Sequence, residues 1–271
     1  MINFRISIIF TLILSSYTLP CLAQPPAWSY VIHQDLRKPS LHNFAERNYR
    51  LFDYFLKQSL QGSGKKDFFA VSKQVKNNIY WKGKRNTNIY IDAFKRSYPV
   101  IKNFDKRPDI PEIVFLIPYL ESLWQSKSGK TSADYGYWQL VLPIVKEIQN
   151  LDTTPQAIKK ANANTLRSDP KLSSEVALIH LRRYYFYFAK VAKHSETDAW
   201  LFAMLSYNWG AGNVKRMLAS MQKKKIKTDF SHFYHYLYRQ HLANKKDKSM
   251  KAAVEYLPNL WNIAKIIRQE V

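Results

Sequence analysis

At 271 residues with 46% apolar side chains, the chain can bury a sizeable core as one large domain or two small ones. Its only cysteine is Cys21, which excludes disulfides, thiolate metal sites and a cysteine nucleophile from everything after residue 23. A formal charge of +22 draws it toward polyanions: nucleic acid, anionic lipid, or a polymer carrying peptide carboxylates.

Residues 1–23 read as a cleaved signal peptide. Arg5 supplies the positive n-region, Ile6 to Leu19 an apolar run too short for a comfortable membrane span, and Ala23 the small residue before the cut. A lipid anchor at Cys21 is the lesser alternative, because Pro20 replaces the small residue expected there. Export to a bacterial periplasm follows, and it makes nucleic acid the less expected partner. Gln24 to Pro39 reads as an extended leader. Helical segments run from about Leu41 to Asn103, with breaks expected at Gly62-Ser63-Gly64, near Gly83 and at Lys106-Arg107-Pro108.

Asp109 and Glu112 have the spacing of a capping box, with Pro111 tolerated in the first turn. The helix expected next places Ile113, Leu116, Ile117, Leu120 and Trp124 on one stripe. Glu121 shares the edge of that stripe, and Pro118 is expected to kink the helix just before it. A carboxyl group among Ile, Leu and Trp side chains resists ionising, as a general acid must.

Further helices are expected from Ser173 to Lys193, with Tyr185, Phe186 and Tyr187 surplus to its buried stripe, and from Ala199 to Asn208, capped by Asp198. Two more follow, around Phe230 to Tyr238 and from Tyr256 to Ile267. Alternating strands are missing and the chain has only 7 glycines, so the fold class expected is all-α.

Three patches then stand in order: Glu121-Ser122, Gly136-Tyr137-Trp138-Gln139, and Ser206-Tyr207-Asn208-Trp209-Gly210-Ala211-Gly212-Asn213-Val214. With the interval from Glu121 to Gln139 and with Pro118 before the acid, they resemble the soluble lytic transglycosylase domain. The nearest likeness is to the membrane-bound lytic murein transglycosylase D group, which shares the goose-type lysozyme fold. The resemblance implies a lysozyme-like helical catalytic domain over residues 101–271 and an N-terminal helical extension over 24–100.

It also implies cleavage of the β-1,4 bond between N-acetylmuramic acid and N-acetylglucosamine in peptidoglycan glycan strands. Glu121 would be the single general acid/base and a 1,6-anhydro sugar the product, with no cofactor. By the same resemblance Ser122, Gln139, Tyr207, Asn208 and Tyr256 would bind substrate or hold the acid. Gly210 and Gly212 would let the chain turn and pass close to the glycan.

The chain departs from the family pattern at Lys130, where a serine is usual and Ser128 or Ser132 is the available substitute. Asp134 is a candidate for positioning a water, which would turn the reaction toward muramidase-type hydrolysis. A non-catalytic wall-binding scaffold of an envelope-spanning machine is the rival outside enzymes. Lysine-rich runs at 222–227 and 244–248 suit anionic stem peptides, an acidic partner, peripheral contact with an anionic membrane, or plain solvation. His232, His235 and His241 are the histidines to weigh as metal ligands, but the first two stand three apart without a carboxylate companion, so no metal is expected.

Overall fold

A computed structural model describes residues 25–32, 34–82, 88–104 and 109–270. The signal segment with Cys21, the break near Gly83 and Lys106-Arg107-Pro108 lie outside them. Helix α1 (Leu41–Ser59) opens on Ser40, whose hydroxyl accepts the Asn43 N–H at 3.0 Å, and it buries Phe44, Leu51, Phe52 and Phe55. Helix α2 (Gly62–Lys82) begins at Gly62-Ser63-Gly64 instead of breaking there. Helix α3 spans Asn88–Ile101.

The expected capping box does not form. Pro111 holds the cap position without a side-chain bond. Glu112 instead meets the Nε of buried Arg47 at 2.8 Å, and Asp109 meets Arg182 at 2.8 Å. A guanidinium taken out of water needs a carboxylate more than one turn of helix needs an acceptor. The single long helix expected through Trp124 is likewise replaced by two short pieces, a 3₁₀ turn over Glu112–Leu116 and helix α4 (Ile117–Glu121). Pro118 lies in the first turn of α4, where its missing N–H is no loss.

A two-residue hairpin absent from the strand-free reading follows: β1 (Asp134–Tyr135) runs antiparallel to β2 (Leu140–Val141). Short helices α5 (Leu142–Gln149), α6 (Gln156–Lys160) and α7 (Ala163–Ser168) lead to α8 (Pro170–Phe186), which is capped by Asp169. The chain continues as a π turn over Tyr187–Val191. Of the surplus aromatics, Tyr185 stacks on Trp200 at 4.5 Å, Tyr187 lies under the Lys215 ammonium at 3.4 Å, and Phe186 is exposed.

Helix α9 (Glu196–Trp209) is capped by Ser195, not by Asp198. Ser195 precedes the helix and takes the Asp198 N–H at 3.2 Å, while the buried Asp198 carboxylate accepts the Phe230 N–H at 3.1 Å. Every residue from Thr197 to Ser206 is buried, the mark of a helix enclosed on all sides. Helices α10 (Ala211–Lys223), α11 (Phe230–Ala243) and α12 (Lys248–Glu270) complete the shell. Helix α12 lies along α2, α1 and α9, and α11 lies along α2. It starts eight residues earlier than expected because Asp247 caps it, accepting the Met250 N–H at 2.9 Å.

Buried side chains of α1 to α3 merge with those of α9 and α12 in one core. The all-α expectation holds. Among the described residues, no helix is long and apolar enough to cross a membrane.

Candidate active site

Helix α4 ends at Glu121 because the next residues leave helical space: Ser122 has φ −141°, and Leu123 and Trp124 have φ of 52° and 53°. The Pro118 carbonyl gathers this end, accepting the N–H of Ser122 at 3.0 Å and that of Trp124 at 3.3 Å. From the other side, α3 steadies the short helix. Ser97 Oγ meets the buried Tyr119 hydroxyl at 2.6 Å, and Arg96 donates to the Leu123 carbonyl at 3.2 Å. Glu121 is half-buried and opens into a pocket of ≈ 310 Å³ with Tyr90, Tyr119, Leu123, Gln125 and Ser128 in its walls. A hollow of ≈ 390 Å³ between Trp28, Leu51 and Phe115 contains none of the expected site residues.

Two consecutive carbonyls of the downstream loop hold the site together. Ser122, buried beside the acid, donates its hydroxyl to the Tyr137 carbonyl at 2.6 Å. Tyr207, at the end of α9, donates its hydroxyl to the Trp138 carbonyl at 2.7 Å. The dipeptide itself cannot drift, because the Trp138 ring is 0% exposed and its Nε1 donates to Ser174 Oγ at 3.0 Å. The acid and Tyr207 are thus referenced to one anchored piece of backbone. Each such bond contributes about 1 kcal/mol net, and more is lost if a buried partner is left bare.

Helix α12 supplies the direct contact. The Tyr256 hydroxyl donates to Glu121 Oε1 at 2.9 Å. Burial first, then the Glu121 charge and Tyr207, hold the Tyr256 phenol well above its usual range. The same causes in the same order, burial and then Glu121, act on Tyr207, followed there by Tyr184. Both phenols therefore remain protonated donors beside the carboxylate.

Gln139 is committed to the loop. Its Nε2 donates to the carbonyls of Gly136 at 2.7 Å and Ser128 at 3.0 Å, so it draws the two arms of the loop together below the acid's pocket. Asn208 is exposed at the end of α9, with no hydrogen bond from its amide to another described residue. Gly210 turns the chain with φ +81°, and a side chain there would meet no protein atom within 4 Å. Gly136 is the crowded one: at φ +81°, an added Cβ would lie 1.8 Å from the Arg167 carbonyl. Ser128 reaches the acid's pocket, whereas Lys130, Ser132 and Asp134 are exposed and do not line it.

Arg167 was not legible as a site residue. Fully buried, it donates to the carbonyls of Thr131 at 2.7 Å and Ala133 at 2.9 Å and to Asn164 Oδ1 at 2.5 Å, and its guanidinium lies over the Tyr135 ring. It is the clamp that fastens the hairpin to α7. Tyr90 was also missed, since it comes from α3, for which no signal beyond helical packing was available; burial pushes its phenol up to about 12. His232 and His235 do have carboxylate companions, Asp229 at 2.8 Å and Asp67 at 2.6 Å. Among the described residues, no group of three or more His, Cys, Asp or Glu is arranged to hold a metal.

A family model, the transglycosylase SLT domain, matches residues 99–230. That span contains Glu121, Gln139, Tyr207 and Asn208, and it ends before Tyr256. No curated protein matches the chain. The chain carries a lytic transglycosylase domain of the broad SLT type, and its helical architecture agrees with the lysozyme-like fold of that domain.

Proposed function

We propose that this transglycosylase domain makes the chain an exported peptidoglycan lytic transglycosylase, cleaving the N-acetylmuramic acid–β-1,4–N-acetylglucosamine bond with Glu121 as sole general acid/base. The general activity on peptidoglycan is what the domain match supports. For the finer reading, the observation that carries most is the bond from buried Tyr256 to Glu121 at 2.9 Å, on an acid that lines a pocket. It fixes one carboxylate oxygen of the acid from the side of α12.

The chemistry would run in two proton transfers. Glu121 gives its proton to the glycosidic oxygen as the bond to the anomeric carbon breaks and positive charge develops on the sugar. The resulting carboxylate then takes the proton of the muramic acid 6-hydroxyl as that oxygen closes on the anomeric carbon. No water is consumed, and the enzyme regains its starting state. Tyr256 keeps the carboxylate aimed through both steps, while Tyr207 holds the loop that shapes the pocket. The exposed Asn208 amide is available to an N-acetyl group. Among the described residues lining the pocket, Glu121 is the only carboxylate, which favours an internal nucleophile over a second acid that activates water.

The periplasm, reached by removal of residues 1–23, is the compartment this substrate requires, with residues 24–100 as a helical extension of the catalytic domain. The likeness to the membrane-bound transglycosylase D group, attachment to an envelope-spanning machine and contact with anionic membrane belong to the same proposal. The test is Glu121→Gln on purified sacculi. Release of 1,6-anhydro muropeptides should vanish while the unfolding midpoint stays within a few degrees. Turnover persisting in the variant removes Glu121 from the mechanism, and reducing-end products from the wild type would point to hydrolysis.

A further inference from the structure

Two lysine-rich runs look alike in the sequence, but the fold puts them at opposite ends of α11. Lys223 ends α10, and Lys224, Lys225 and Lys227 follow it before α11, whereas Lys245 and Lys246 lie on the turn from α11 into α12 and Lys248 opens α12. Fourteen residues of helix separate them, roughly 21 Å. Only the second run adjoins the site.

Trp209, directly after Tyr207 and Asn208, donates its Nε1 to Ser249 Oγ at 3.1 Å, which pins the first turn of α12 to the end of α9. Seven residues further along α12, about two turns, comes Tyr256 with its bond to Glu121. The turn bearing the lysines therefore lies beside the end of α9 that carries Asn208 and Trp209, about two turns of α12 from Tyr256. It is held firmly: the Asp247 N–H donates to the Asn244 carbonyl at 3.1 Å, and Asp247 caps α12. On the far side of Trp209, Asn213 donates to the Trp209 carbonyl at 2.6 Å and accepts from Arg216 at 2.5 Å. Arg216, Lys245, Lys246 and Lys248 are exposed, and none makes an ion pair with a described carboxylate; Lys251, a turn further on, does pair with Glu255 at 3.8 Å.

Along the glycan itself the only carboxyl group is the lactyl group of N-acetylmuramic acid, which is an uncharged amide wherever a peptide stem is attached. On peptide-bearing strands the carboxylates lie on the stems. We propose that Arg216, Lys245, Lys246 and Lys248 form a basic rim that binds stem-peptide carboxylates, so that the protein selects peptide-bearing strands over bare glycan. The proposal rests on the reading of Glu121 as a peptidoglycan-cleaving acid, and it names what else that site reads.

The experiment compares peptide-bearing glycan strands with the same strands stripped by an amidase, using full-length protein for both binding and turnover. The triple reversal Lys245→Glu, Lys246→Glu, Lys248→Glu should weaken binding and kcat/KM on peptide-bearing strands on the order of tenfold, since several exposed charge contacts act together. The loss should shrink as salt is raised. Stripped strands keep one lactyl carboxylate per muramic acid but none of the stem carboxylates, so their loss should be clearly smaller. Lys223→Glu, Lys225→Glu, Lys227→Glu, carrying the same charge change at the far end of α11, should alter neither substrate. Equal losses on both strand types, or equal losses from both triples, overturn the rim. Peptide-dependent binding without any turnover by the wild type would keep the rim and overturn the catalytic reading, so the two failures are told apart.

Discussion

Replacing Tyr256 by Phe removes one oxygen atom from the centre of the candidate site and little else. The ring is buried in the core shared by α12 and α9, and phenylalanine fills the same space. What goes is the donor at 2.9 Å from Glu121 Oε1. A hydrogen bond to a carboxylate is worth about 1.5–3 kcal/mol, part of which is recovered if water reaches the half-buried oxygen. The remaining loss of about 1–2 kcal/mol, if felt in the transition state, corresponds to roughly a five- to thirtyfold fall in kcat. Because the hydroxyl aims the acid and does not hold the strand, KM should hardly move. Muropeptide release from sacculi, quantified by mass analysis, gives the rate, and thermal unfolding within about 3 °C of the wild type shows that the fold is intact. Wild-type turnover in Tyr256→Phe would refute the positioning argument, as would a rise in KM with kcat unchanged.

Other expectations follow from the loop and the buried groups behind it. Arg167→Met should lower unfolding free energy by about 3 kcal/mol in urea titrations, since four acceptors, the carbonyls of Thr131, Ala133 and Leu140 and Asn164 Oδ1, lose their donor; Arg167→Lys should recover only part, because an ammonium cannot fork. Gly136→Ala should cost more than about 2 kcal/mol by the same measurement, as its Cβ would collide with the Arg167 backbone at a left-handed φ. His180 is buried, with its ring 4.3 Å from Tyr184, and burial, then the Arg183 charge, take its pKa down to about 4. The unfolded chain protonates near 6.5, so stability present at neutral pH falls by about 2 kcal/mol between pH 7 and 5. His180→Phe keeps the ring contact and should remove that part of the slope; an unchanged slope would show that another group carries it.

Much of the helical pattern could be read along the chain because burial and period coincide there. The stripe through Phe230, Phe233, Tyr234 and Leu237 is a helix for the reason the spacing suggests. Local signals misled where distant partners competed for the same side chains. Asp109 and Glu112 have capping-box spacing, but Arg182 and buried Arg47 claim their carboxylates. Asp198 looks like a cap and is instead enclosed with the start of α11. His232 and His235 look isolated because one of their carboxylates, Asp67, is far away in sequence.

What the sequence determined alone was the set of chemical groups and their order: an acid in an apolar helix, an amide-bearing turn, a tyrosine–asparagine pair and a late tyrosine. Those readings depend on composition and short spacing, which survive without knowledge of long-range contacts. Tertiary structure decided how the groups are used, because such use is settled by which distant atoms approach within about 3 Å. It turned Gln139 inward to tie a loop, brought Tyr256 across 135 residues to the acid, and set one of two similar lysine runs beside Trp209.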